Sequence, residues 1–109
     1  MLGELLVRPS ATHLILHGEL DLVTVERLRR LLEHACASSP ECLMVDLSDV
    51  PFVDVLSLST ILATADGLRE HDAALVVVGA SPAVRRMCTL LNAADVLAPD
   101  VPMPRLAAL

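Results

Sequence analysis

Short apolar runs, most of them closed by a glycine, a proline or an aspartate, alternate along this chain with longer segments whose apolar residues recur every three or four positions. Strands bury alternate residues and helices bury one face with a period of about 3.6, so this alternation argues for an α/β domain. Glu4 to Arg8 reads as a short, weak strand, followed by a Pro9-Ser10 turn. His13 to His17 is a second strand, close enough to the first to pair with it as an antiparallel hairpin, and Gly18 ends it.

The helices are read from their caps. Asp21 is placed to cap a helix running from about Val23 to Ala37, with Val25, Leu28, Leu32 and Ala35 on one face and Ser38, Ser39 and Pro40 as its stop. Leu43 to Leu47 reads as a buried strand with Ser48 and Asp49 beyond it. Asp54 is placed to cap a second helix that reaches about His71, with Leu58, Ile61, Leu62, Ala65 and Leu68 at helical spacing. Leu75 to Val78 is the next central strand, ended by Gly79. Ser81 as cap and Pro82 as first helical residue start a third helix with Val84, Met87, Cys88 and Leu91 on its apolar face. A weak strand is expected over Val96 to Ala98. The tail from Pro99 carries prolines and leaves room only for a very short last helix over Arg105 to Leu109.

A length of 109 residues fits one domain, 1–109, with a single core. Phe52 is the only aromatic residue, so the core is aliphatic and stacking platforms for bases are missing. A formal net charge of -6 also argues against a nucleic-acid partner, whose phosphates require a basic surface. The mean hydropathy of +0.62 raises the question of a membrane span. Charge-free runs such as Val55 to Ala65 are too short for one and hold Ser57, Ser59, Thr60 and Thr64. With no leader-like N-terminus, the expectation is a cytoplasmic protein without membrane insertion.

Chemistry-bearing groups are sparse. Cys36, Cys42 and Cys88 form no C-x-x-C pair and are expected to be reduced thiols, Cys88 in the core. His13, His17, His34 and His71 show no metal spacing, although His13 and His17 share a strand face. Asp46, Asp49 and Asp54 gather at a strand end, the arrangement that holds Mg²⁺ in response-regulator receivers. Here the chain begins with a hairpin and contains no lysine, so caps and solvated loop residues explain the aspartates better. No G-x-S-x-G elbow, phosphate loop or dinucleotide fingerprint is present, and Gly3, Gly18, Gly67 and Gly79 are the only glycines. The expectation is a binding module with no metal or cofactor, not an enzyme.

Three ordered segments carry a resemblance: G-E-L-D at Gly18 to Asp21, with Thr24 and Leu28 after it; V-D-L-S-D-V-P-F-V-D at Val45 to Asp54; and S-P-A-V-R-R at Ser81 to Arg86. Together they make the chain resemble the STAS family (sulfate transporter and anti-sigma factor antagonist) from about Leu5 to Leu97. The resemblance implies a mixed sheet of four or five strands with helices mainly on one face. It also implies a protein partner, an anti-sigma factor that is a serine kinase, docking on the loop and start of the second helix. The residues implied in that contact are Glu19, Asp21, Asp54, Val55, Leu56, Ser57 and Leu58. A stand-alone STAS protein that serves as accessory subunit to the ATPase of a membrane transport system, or as a scaffold, is the alternative.

In the antagonists this chain resembles, the kinase phosphorylates the serine directly after the aspartate of a D-S-S-G-L motif, and the added charge breaks the complex. Asp54 is here followed by Val55-Leu56-Ser57-Leu58, so the acceptor position is Val55. Three readings follow: the partner is bound without phosphorylation control, Ser57 (or Ser59 or Thr60) has become the acceptor, or the helix tip binds something else. Val55 and Leu56 either add apolar contact surface or pack inward. The protein is expected to be a monomer or a weak homodimer, the latter through the edge strand Glu4 to Arg8.

Overall fold

A computed structural model describes residues 1–9 and 11–98. In chain order it contains β1 (Leu2–Val7), β2 (Ala11–His17), α1 (Val25–Cys36), β3 (Cys42–Asp49), α2 (Val55–Arg69), β4 (Ala74–Val78) and α3 (Pro82–Leu90), with a 3-10 turn over Ala94–Val96. The strands form one mixed sheet in the order β1-β2-β3-β4. β1 pairs antiparallel with β2, while β2 with β3 and β3 with β4 are parallel. The two parallel steps cross over through α1 and α2, as parallel neighbours must.

Burial follows the strand period. Leu14, Leu16, Leu43, Val45, Leu47, Leu75 and Val77 face the helices and are buried, whereas His13, Ile15, Met44, Asp46, Val76 and Val78 on the other face are only half-buried. The strand Leu43 to Leu47 is thus buried on one face and not on both. Leu28, Leu32 and Ala35 of α1, Leu58, Ile61, Ala65 and Leu68 of α2, and Val84 and Cys88 of α3 complete the core. Each fully buried Leu, Ile or Val side chain contributes roughly 1.5–3 kcal/mol, which is how a core without aromatics holds the fold.

Several expected details shift. Val25 and Leu62 are half-buried, and Leu91 lies just past α3 and is exposed. The weak strand expected over Val96 to Ala98 is a single parallel bridge between Leu97 and Val77, reached through the 3-10 turn. Ser10 and the tail with its expected last helix over Arg105 to Leu109 lie outside the described residues. Cys36, Cys42 and Cys88 are free thiols, and burial raises the pKa of Cys36 and of Cys88, which favours the inert protonated form. Among the described residues, no helix is long and apolar enough to cross a membrane.

Gly79 shows why β4 ends where it does. Its φ is +71°, and a Cβ there would sit 2.7 Å from Ser48 Cβ and 2.8 Å from Ser48 N. Only glycine lets the chain leaving β4 pass this close to the end of β3.

Candidate functional site

β2 and β3 run parallel, so their C-terminal ends leave the sheet side by side. The loops that follow stay in register. Gly18 N–H donates to Asp49 O at 3.1 Å, Leu20 N–H to Phe52 O at 2.9 Å, and Asp54 N–H to Leu20 O at 3.0 Å. Leu20 and Val53 form a parallel bridge, and both side chains are buried. These two anchors hold Glu19 to Val23 and Pro51 to Leu56 together at one end of the sheet.

Asp54 caps α2 as expected: its Oδ1 accepts from Ser57 N–H at 2.8 Å, and its carbonyl accepts from Leu58 N–H at 3.0 Å. Asp21 does not cap α1. Its Oδ1 instead accepts from Val23 N–H at 3.0 Å and Thr24 N–H at 3.2 Å, closing a turn ahead of the helix. Thr24 occupies the cap position without bonding the helix through its side chain, and its hydroxyl contacts Glu19 O and Asp21 instead. An aspartate that accepts from the amides two and three residues on closes a turn with the same spacing it would use at a cap, which is why the sequence pattern places the helix start too early.

The side chains of the site divide sharply. Val55 is 58% exposed and Leu56 46%, so they add apolar surface at the tip of α2. Ser57 and Leu58, expected among the partner-facing residues, are completely buried beneath them. Ser57 Oγ has no hydrogen-bond partner. Ser59 is exposed, and the Thr60 hydroxyl donates to Leu56 O at 2.9 Å. Leu22, Val23 and Phe52 are exposed too and extend the apolar surface across both loops. They were not among the sequence-derived site residues. Their signal was the apolar character of loop positions flanking the two aspartates, which only acquires meaning once the loops are seen to be adjacent. Around them stand Glu19, exposed, and the half-buried Asp21 and Asp54. The surface is apolar with an acidic border.

His17 lies at the root of this end. Its Nδ1 is 2.5 Å from Asp49 Oδ2 and its Nε2 is 2.5 Å from Glu4 Oε2, so one imidazole ties β1, β2 and β3 together. The hydrogen bond to Asp49, then that to Glu4, raises the His17 pKa above its ordinary value. His13 shares the face but not the cluster. Asp46 accepts from Ser48 N–H at 2.8 Å and from the Ser48 hydroxyl at 2.5 Å. Asp46, Asp49 and Asp54 thus serve three separate partners. Among the described residues no group of His, Cys, Asp and Glu side chains is placed to hold a metal ion.

The family model for the STAS domain matches residues 4–103. Among solved structures, an anti-sigma factor antagonist from Mycobacterium paratuberculosis aligns with a TM-score of 0.80 and 27% identity, over 92% of this chain and 86% of that one. The unphosphorylated form of the Bacillus anti-sigma factor antagonist SpoIIAA aligns with a TM-score of 0.77 and 19% identity, over 92% and 89%. The STAS domain of a SulP transporter from Vibrio cholerae aligns with a TM-score of 0.57 and 22% identity, over 86% and 76%. At such identities the last two speak for the fold only. No curated protein matches the chain.

Proposed function

The chain belongs to the STAS family, and from that premise we propose that it is an anti-sigma-factor-antagonist-like regulator that binds an anti-sigma factor, of the serine-kinase kind, through the tip of α2 and the loop beside it. The contact residues in this reading are Glu19, Asp21, Phe52, Asp54, Val55 and Leu56, with Leu22 and Val23 at its margin. The observation that carries it is the exposure of Val55 and Leu56, adjacent apolar side chains at the end where the two loops converge. Desolvating such a patch favours association, and the acidic border suits a partner with basic groups around an apolar centre.

The same geometry supports binding that is not released by phosphorylation. Val55 has no hydroxyl, and the Ser57 hydroxyl lies under the tip where a kinase does not reach it without opening the helix. Ser57 and Leu58 act from below, as packing that holds the tip in place. Support for the antagonist branch over a transport-accessory subunit comes from the relative with 27% identity, which is an anti-sigma factor antagonist.

The test is capture from the native cytoplasm with a tagged chain, followed by identification of bound proteins and phosphopeptide mapping in the presence of ATP. The reading expects an ATP-binding anti-sigma protein and no phosphate on residues 55–57. Recovery of a transport ATPase in its place makes the chain an accessory subunit. Phosphate on Ser57 with loss of the partner contradicts the constitutive contact.

A further inference from the structure

β1 is an outer strand and pairs with β2 only. The opposite edge of the sheet is partly occupied, because Leu97 bridges Val77 and Ala98 N–H donates to Val77 O at 2.9 Å. Among the described residues no strand pairs with the outer edge of β1 and no backbone hydrogen bond reaches it. Open edges are ordinarily blunted by proline, lysine or a bulge. Leu2–Val7 has none of these and keeps an unbroken register with β2. Leu2, Leu6 and Val7 are 67, 45 and 63% exposed, and the one charge, Glu4, is held by His17.

The backbone says which groups are open. Arg8 N–H donates to Ala11 O at 2.8 Å, in the same register as the β1–β2 ladder. Antiparallel pairs alternate between bonded and non-bonded, so Leu2, Glu4 and Leu6 turn their amide and carbonyl groups to β2. Gly3, Leu5 and Val7 turn theirs outward.

We propose that β1 pairs antiparallel with β1 of a second copy of this chain, on a two-fold axis at Leu6, joining the two sheets into one. In this register Leu5 and Val7 of each copy exchange hydrogen bonds with Val7 and Leu5 of the other, using the groups that face outward. Leu6 meets Leu6 on the half-open face. Glu4 of each copy stands opposite Arg8 of the other, on the same face as Leu6 by strand alternation. The charges select this register over its neighbours. An axis at Leu5 sets Glu4 against Leu6 and Arg8 against Leu2, and an axis at Glu4 opposes the two carboxylates. Pro9 has no N–H to offer, so the ladder is short and the association weak. The partner-binding loops lie at the His17 end of each sheet, where β1 begins, so the dimer points its two sites in opposite directions and leaves both free.

Sedimentation velocity on the full chain, from about 10 μM to about 1 mM, where weak interfaces form, reads the association directly. The wild type is expected to shift from monomer towards dimer across that range. Arg8→Glu alone and Glu4→Arg alone are each expected to stay monomeric, because like charges then face each other at both ends. An equimolar mixture of the two is expected to recover the dimer, since every Glu then faces an Arg. A wild type that stays monomeric throughout overturns the proposal, and so do charge variants that dimerise like the wild type or a mixture that does not recover.

A second readout depends on neither charge. In a background with Cys36, Cys42 and Cys88 replaced by alanine, Leu6→Cys is expected to cross-link on mild oxidation while Leu2→Cys does not. Cα atoms of a non-bonded antiparallel pair lie about 4.5 Å apart, within the range a disulfide spans. Absence of the Leu6→Cys cross-link, or equal cross-linking at both positions, overturns the register.

Discussion

The backbone N–H of Ser57 donates to Asp54 Oδ1 at 2.8 Å, while the hydroxyl of the same serine is buried without a partner. One residue thus completes the cap of α2 with its main chain and leaves its side chain unsatisfied in the core. The turn that holds Val55 and Leu56 outward is built on this pair.

Asp54→Ala removes the cap acceptor and is expected to lower stability by about 1 kcal/mol in urea denaturation, with Asp54→Asn costing much less. A loss confined to binding, with no change in the unfolding midpoint, would show that Asp54 acts on the partner and not on the helix.

Ser57→Ala takes away a buried hydroxyl that forms no hydrogen bond. Such a group carries a desolvation cost of about 1–3 kcal/mol, so the variant is expected to be as stable as the wild type or up to about 1 kcal/mol more so. Its partner affinity is expected to be unchanged. A clear destabilisation would mean that the hydroxyl is satisfied in solution.

His17 gives the fold a pH dependence. Because the hydrogen bonds that the ring donates to Asp49 and Glu4 raise its pKa above 6.5 in the folded state, folding favours the protonated ring. That contribution is complete below the unfolded value of about 6.5 and fades as pH rises through the higher folded value. The stability difference between wild type and His17→Gln, measured by denaturation across pH 6 to pH 9 (about the titration range of a raised histidine), is expected to shrink towards alkaline pH. A difference that is flat over this window, or grows, contradicts the cluster.

Gly79→Ala must place a Cβ within 3 Å of Ser48 at a positive φ. The left-handed conformation alone costs about 1–2 kcal/mol, and the contact adds to it, so a loss of at least about 2 kcal/mol is expected by thermal or chemical unfolding. Gly67→Ala, which meets nothing within 4 Å, is expected to be neutral or slightly stabilising.

The layout of strands and helices was legible because each carries its period and its stop signal: His13 to His17 closed by Gly18, and Ser81-Pro82 opening α3. What the sequence hid depends on neighbours far along the chain. Asp21 bonds Val23 and Thr24, and local pattern does not separate that turn from a cap. Ser57 lies inside because α2 is buried on the side that Leu58, Ile61 and Ala65 share, and a serine among them has no apolar signal of its own. Phe52 joins Leu22 and Val23 at the site only through the Leu20–Val53 bridge, which links residues 33 positions apart. The His17 cluster draws on three strands, so spacing within any one of them says nothing of it.

In the proposed function the exposed apolar tip of α2 is the contact surface, and no phosphorylation at residue 55 governs it. The most direct measurement is titration calorimetry of the purified chain against the captured anti-sigma protein, comparing wild type with Val55→Asp/Leu56→Asp and with Leu90→Asp, an exposed apolar residue of α3. At least a tenfold loss of affinity, equivalent to about 1.4 kcal/mol, is expected for the double variant and none for Leu90→Asp. Equal affinities for wild type and the double variant, with both folded, would contradict the proposed contact.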